Sequence, residues 1–327
     1  MTIRGVKYLI AAVLLALIGV FVSGAHSQPR PVNPVASAVS EQQLLLEFGR
    51  VQGLGSIPDV KSYVVEQPAG RKWRTFHEVY LHWVAGLAIV GIVFLLAVFY
   101  LWRGTLHFKG GWSGLKMVRF SAFERCVHWL IAVSFIILAI TGLNITFGKK
   151  LLLPLLGLEA FSTWSQIAKY AHNFLSLPFT IGVGLIFLIW VASNLPTRAD
   201  IEWIKQGGGM FGGDEPPCYR FNPGEKLIFW ITVIGGGLVA ASGYMLLFPF
   251  YGTGILSMQI AQVVHSTVGV LYIAGMLVHV YMGTLGTEGA FEGMATGEVD
   301  VNWAKTHHLL WFEEEMVAAG KGKSGEV

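Results

Sequence analysis

Long stretches without a charged side chain set the plan of this chain. No Asp, Glu, Lys or Arg falls between Val79 and Trp102, between Cys126 and Phe147, between Tyr170 and Thr197, or across the run from Leu227 to Thr287. Each of the first three is close to the ~20 apolar residues that cross a bilayer as a helix. The last is too long for one crossing, and the Pro- and Gly-containing stretch Phe248–Gly254 breaks it into two. Five transmembrane helices are therefore predicted, because a backbone in hydrocarbon must satisfy its own polar groups. The N-terminus carries Arg4 and Lys7, an apolar run from Tyr8 to Val22, then Ser23-Gly24-Ala25. That is the pattern of an export signal cleaved after Ala25, with an uncleaved signal anchor as the alternative. Residues 26–75, with Pro29, Pro31 and Pro34, read as an irregular segment outside the membrane.

Composition agrees with that plan. Hydrophobic residues make up 54% and charged residues 13%, where a soluble domain has roughly 25% charged; mean hydropathy is +0.57. The fold class expected is an all-α integral membrane protein. A net charge of +3 spread over 327 residues gives no nucleic-acid partner. The two cysteines, Cys126 and Cys218, form no C-x-x-C pair, so a cluster or a covalently attached haem has no thiolate set. Any redox cofactor has to be held by imidazole.

Loop charge sets the expected orientation. Arg103, Lys109, Lys116, Arg119 and Arg125 follow the first span, and Arg198, Lys205, Arg220 and Lys226 follow the third. Lys149 and Lys150 follow the second span directly, and no basic residue follows the fourth. The basic loops are expected in the cytoplasm, with residues 26–75 outside and the C-terminus inside. The six basic residues of 26–75 run against the rule, which long translocated stretches obey less well.

Four histidines, His128, His172, His265 and His279, lie inside the apolar runs. An ionisable residue there is costly and marks a functional site. His265 and His279 are 14 residues apart on one predicted helix, which returns them to within about 40° of each other at heights differing by ~21 Å. The predicted topology puts His172 level with His265 near the outside and His128 level with His279 near the cytoplasm. Gly269 lies one turn from His265, and Gly275 and Gly283 lie one turn either side of His279, leaving a clear helix face. Two stacked bis-histidine haems b is the reading this pattern supports. A non-redox membrane anchor, with histidines hydrogen-bonding between helices, is the alternative.

The motifs Arg125-Cys126-Val127-His128-Trp129, Ala171-His172-Asn173-Phe174, Tyr219-Arg220-Phe221-Asn222-Pro223-Gly224-Glu225-Lys226, Val264-His265 and Leu277-Val278-His279-Val280-Tyr281-Met282 extend into a tail. That tail holds Gly293-Met294, Trp303-Ala304-Lys305-Thr306-His307-His308 and Trp311. Over Val118 to about Glu315, roughly 60% of the chain, this resembles the cytochrome b (gamma) subunit of membrane-bound formate dehydrogenase. The resemblance implies a four-helix dihaem core plus an extra N-terminal helix, with the four histidines as haem iron ligands. It also implies a quinone site bordered by Asn222 and Gly224, ubiquinone or menaquinone being the substrate. The partners implied are a molybdenum or tungsten formate dehydrogenase subunit and an iron-sulfur subunit, on the outer face of a bacterial inner membrane. A related membrane hydrogenase or thiosulfate reductase cytochrome b would look alike. The organisation expected is a signal (1–25), an outer segment (26–75), an extra helix and loop (76–118), the dihaem domain (119–287) and a cytoplasmic tail (288–327). Residues 26–118 are absent from the shortest members of that family.

Locally, Asn222 and Pro223 also fit an N-cap and first helical position. Gly207-Gly208-Gly209 and Gly212-Gly213 follow no predicted strand and are expected to form a linker rather than a phosphate loop. His77 and His82, beside Trp83, fit an interfacial belt, packing is expected for His307 and His308, and His26 and His107 carry no signal.

Overall fold

A computed structural model describes residues 70–249 and 251–323. The expected signal (1–25), nearly all of the outer segment 26–75, Phe250 and residues 324–327 lie outside the described residues. Five helices are long and apolar enough to cross a membrane: Lys72–Arg103, Ala122–Leu151, Leu153–Trp190, Pro223–Leu247 and Ile255–Gly286. A helical turn at Gly70–Thr75 and a π turn at Phe76–Tyr80 precede the first long α-helical stretch. Residues from Tyr80 onward form one compact unit.

In that unit α1 is Leu81–Arg103, α2 Ala122–Leu151, α3 Leu153–Trp190, α4 Arg198–Lys205, α5 Pro223–Leu247 and α6 Ile255–Tyr281. Helix α2 packs along α3, α5 along α6, and α1 against α6. Two of the helices start where the sequence supplies reciprocal caps. Ser121 Oγ accepts from Glu124 N at 3.3 Å while Ser121 N donates to the Glu124 carboxylate at 2.8 Å. Asn222 and Glu225 repeat the arrangement at the head of α5, with both bonds at 2.9 Å. Helix α3 begins at Leu153, well before the expected Tyr170, because Glu159 and Lys169 end the apolar run without ending the helix. Its N-terminal part is interrupted at Gly157, whose φ of 77° only glycine adopts cheaply.

Between the helices an aromatic layer fills the middle of the bundle. Tyr272, buried on α6 halfway between His265 and His279, lies 4.9 Å from Phe135 and 6.1 Å from Phe179, centroid to centroid. Outside the bundle, β1 (Lys116–Val118) pairs antiparallel with β2 (Glu298–Asp300) in the register Lys116↔Asp300, Met117↔Val299 and Val118↔Glu298. The short helices α7 (Ala290–Ala295) and α8 (Val301–His307) and the longer α9 (Leu309–Lys323) build the tail. Phe108, Val299, Trp303, Ala304 and Trp311 form its core. The glycine-rich loop is packed rather than a spacer. Gly207, Gly208 and Gly209 all have positive φ, and buried Gly208 lies so close to the Trp203 ring that any side chain there would enter it.

Candidate functional site

Helices from opposite sides of the bundle bring the four histidines together in two pairs. His172 of α3 faces His265 of α6 with ring centroids 6.1 Å apart and planes at 71°. His128 of α2 faces His279 of α6 at 6.1 Å and 64°. Two imidazoles sharing one metal ion through bonds of about 2 Å have ring centres about 6 Å apart. Both separations therefore fit a bis-imidazole iron site, and the 14 residues between His265 and His279 separate the two sites by ~21 Å of helix rise.

Hydrogen bonding prepares the first pair for a metal. His265 Nδ1 lies 2.9 Å from the carbonyl of Val239, which only accepts, so Nδ1 carries the proton and Nε2 keeps its lone pair. His172 Nδ1 lies 2.8 Å from Thr141 Oγ1, whose own hydrogen is directed at the Ile137 carbonyl at 2.7 Å. That hydroxyl accepts from His172, again leaving Nε2 to ligate. Gly142 and Gly243 give these rings room: a Cβ would stand 3.4 Å from His172 Cε1 and 3.1 Å from His265 Cε1. At the second pair His128 Nδ1 is buried with no hydrogen-bond partner among the described residues. Its ring instead packs on Trp129 at 5.3 Å, and Trp129 is anchored to the Met294 carbonyl of α7 at 3.1 Å. Open space lies where a Cβ would project from Gly269 and Gly283, while Gly275 packs against Ile231.

Next to the second pair's end of α2, a reciprocal clasp joins the heads of α2 and α5. Arg119 donates to Glu225 at 3.0 Å and to the Arg220 carbonyl at 3.1 Å; Arg220 donates to Glu124 at 2.7 Å and to the Arg119 carbonyl at 2.9 Å. Glu124, one turn before His128, also accepts from Trp190 Nε1 at 2.7 Å. Arg119 is buried under Phe120, Trp303 and Trp311, with its guanidinium carbon 4.9–5.3 Å from their ring centres. Asn222 caps α5 as its local sequence requires, and Gly224 is small because a Cβ would stand 3.2 Å from Asn222 Oδ1. No hydrogen bond among the described residues links Asn222 or Gly224 to either histidine pair.

Residues 119–297, more than half of the chain, match the family model described as prokaryotic cytochrome b561. The chain belongs to this family. It is a multi-pass membrane helical bundle, and membership in a cytochrome b family implies haem b. Among curated relatives, the cytochrome b556(Fdn) subunit of the nitrate-inducible formate dehydrogenase of Escherichia coli K12 is 26% identical over 216 residues, 64% of this chain and 96% of the relative. The cytochrome b556(fdo) subunit of the same organism is 30% identical over 202 residues, 61% of this chain and 92% of the relative. The formate dehydrogenase cytochrome b556 subunit of Haemophilus influenzae is 28% identical over 212 residues, 62% and 85%.

Within the cytochrome b561 fold the remaining histidines among the described residues have structural surroundings. His82 Nε2 reaches the Thr146 carbonyl at 2.9 Å, and His77 stacks on Trp73 at 5.5 Å. His107 Nδ1 is 2.7 Å from Glu288. His308 is buried against the Tyr219 carbonyl at 2.9 Å, and His307 pairs with Glu215 at 2.5 Å. The clasp escaped the reading by motif. Its signal was present, since Arg-Phe-Ser-x-x-Glu-Arg at 119–125 recurs as Arg-Phe-Asn-x-x-Glu-Lys at 220–226.

Proposed function

We propose that this cytochrome b561 protein is the membrane cytochrome b subunit of a formate dehydrogenase complex, holding two haems b between His172 and His265 and between His128 and His279. The observation carrying the proposal is the two imidazole pairs, each at 6.1 Å, stacked along α6; the names of the relatives support the partner. Bound haem supplies one-electron transfer. The protein fixes the imidazole tautomers of His172 and His265 by hydrogen bonds and spaces the two sites along one helix. Electrons enter at the His172–His265 end, proposed to face outward toward an iron-sulfur subunit and a molybdenum or tungsten subunit that oxidises formate. They leave at the His128–His279 end, proposed to face the cytoplasm of a bacterial cell enclosed by this inner membrane. There the Asn222 amide and the backbone at Gly224 would meet a quinone carbonyl, ubiquinone or menaquinone. Protons taken from inside for electrons delivered from outside charge the membrane.

A reporter active only after export, fused after Gly252, should be active, and one fused after Gly208 silent. Formate-to-quinone turnover in Asn222→Ala, with haem reduction by formate normal, should fall at least tenfold. Wild-type quinone reduction and inhibitor sensitivity in that variant place the quinone elsewhere.

A further inference from the structure

His308 is 1% exposed, and its hydrogen bond to the Tyr219 carbonyl is made through Nδ1. Nδ1 donates to the Tyr219 carbonyl at 2.9 Å, so in the neutral ring Nε2 presents a lone pair. That lone pair faces Glu225 Oε2 at 3.7 Å. The same oxygen accepts from Asn222 N at 2.9 Å, and the other carboxylate oxygen accepts from Arg119 at 3.0 Å. Two lone pairs facing each other in a site walled by Trp303 and Trp311 are repulsive until a proton lies between them. Burial, with the nearby Arg119 cation adding to it, holds the imidazole well below its ordinary range, so the ring does not keep that proton for itself.

We propose that Glu225 and His308 together hold one exchangeable proton at the Asn222–Gly224 turn and pass it to a quinone reduced there. The proposal rests on the quinone site argued above. In the step, a quinone that has gained two electrons from the bound haems takes the proton onto an oxygen, forming one O–H bond. The pair is left one proton short and regains it from cytoplasmic water. The charged and titratable groups around the pair are Arg119 and Arg220 from the clasp, Glu215 and Cys218 from the loop before α5, and His307 of α8. On the solvent side, Glu215 bonds His307 and lines a cavity of about 370 Å³ with Lys109, Asp214, Asn302 and Thr306 at this edge of the tail. The clasp explains why the carboxylate stays in place when it changes protonation, since Arg119 and Asn222 N hold it from two directions.

The test uses the intact complex. His308→Asn keeps an N–H for the Tyr219 carbonyl, and Glu225→Gln keeps an acceptor for Arg119, but neither holds the proton. Formate-to-quinone turnover should fall at least tenfold in both and lose its wild-type pH profile, while haem reduction by formate, measured separately, is unaltered. Wild-type turnover and pH profile in both, with Asn222→Ala impaired, overturn the proton role alone; wild-type turnover in all three overturns the quinone site as well. A second measurement needs no variant. Infrared difference spectra of the unaltered complex, taken on quinone reduction, should contain a carboxylic-acid C=O band that shifts in heavy water, and its absence overturns the proposal.

Discussion

At His172–His265 both rings are oriented by hydrogen bonds made inside the bundle, to Thr141 Oγ1 and the Val239 carbonyl. At His128–His279 the spacing is the same, but His128 Nδ1 has no partner among the described residues and its ring leans on Trp129. Trp129 and Arg125 are in turn tied to the Met294 and Ala295 carbonyls of α7, outside the bundle. One site is therefore preorganised by the helices that carry it, the other by a tail that must first be folded. Identical ligand geometry can rest on supports of different kinds, and the two supports respond to different insults.

The sharpest division is ligand deletion. In the proposed dihaem arrangement, His265→Ala or His172→Ala should remove the haem proposed as outer and His279→Ala or His128→Ala the one proposed as inner, so that a pyridine haemochrome assay reads one haem per chain in place of two. Equal loss of both in every variant would dissolve the distinction. Thr141→Val deletes the acceptor for His172 Nδ1 and should weaken the outer haem ~10–100-fold, the usual effect of removing a ligand's orienting partner, without touching the inner. Haem retention during titration with a competing apoprotein measures it. Gly243→Ala should cost ~1–3 kcal/mol of outer-site stability because a methyl would press the His265 ring at 3.1 Å, and Gly142→Ala less, at 3.4 Å. Thermal release followed in the Soret band ranks them.

The smallest expected effect falls on the inner site alone. Asp300 accepts from Ser113 N and Oγ, Gly114 N and Asn302 N, at 2.8–3.1 Å, and so pins β2 to the loop before β1. Burial raises its carboxyl, but those hydrogen bonds outweigh burial and leave it below its ordinary value. A depressed acid stabilises the fold above its unfolded value, ~3.9, and loses that contribution as pH falls through the folded value. Acid titration should therefore loosen the His128–His279 haem before the other at low pH, and Asp300→Asn, at a cost of ~1 kcal/mol, should weaken that site already at neutral pH and remove this carboxyl's share of the acid loss. Simultaneous release of the two haems would contradict a tail-supported inner site.

The helices and the histidine pairs were legible because lipid enforces them: an apolar run must be a helix, and depth then pairs the imidazoles. The start of α3 was not, since helical hydrogen bonding continues past the last apolar residue. The glycines that admit the His172 and His265 rings, Gly142 and Gly243, lie on partner helices, whereas the spacing around His265 and His279 pointed only to glycines on their own helix. Strands of three residues, Lys116–Val118 and Glu298–Asp300, are too short to show a period. Packing was expected of His308, but not its enclosure, because the walls, Trp303 and Trp311, come together only after the tail has folded.

The recurrence at 119–125 and 220–226 also bears on how the protein is made. Domains and hairpins emerge N-terminal first during synthesis, so Arg119 and Glu124 reach the membrane surface about a hundred residues ahead of Glu225 and Arg220. Until the second hairpin arrives, the first exposes a mismatched cation and anion at its boundary, a recognisable mark of an unfinished chain. Closing the clasp satisfies both ends at once and brings α5 beside α2. Since each histidine pair draws one member from each hairpin, the same closure that silences those charges brings both pairs together, making maturation of the two sites a late event in biogenesis.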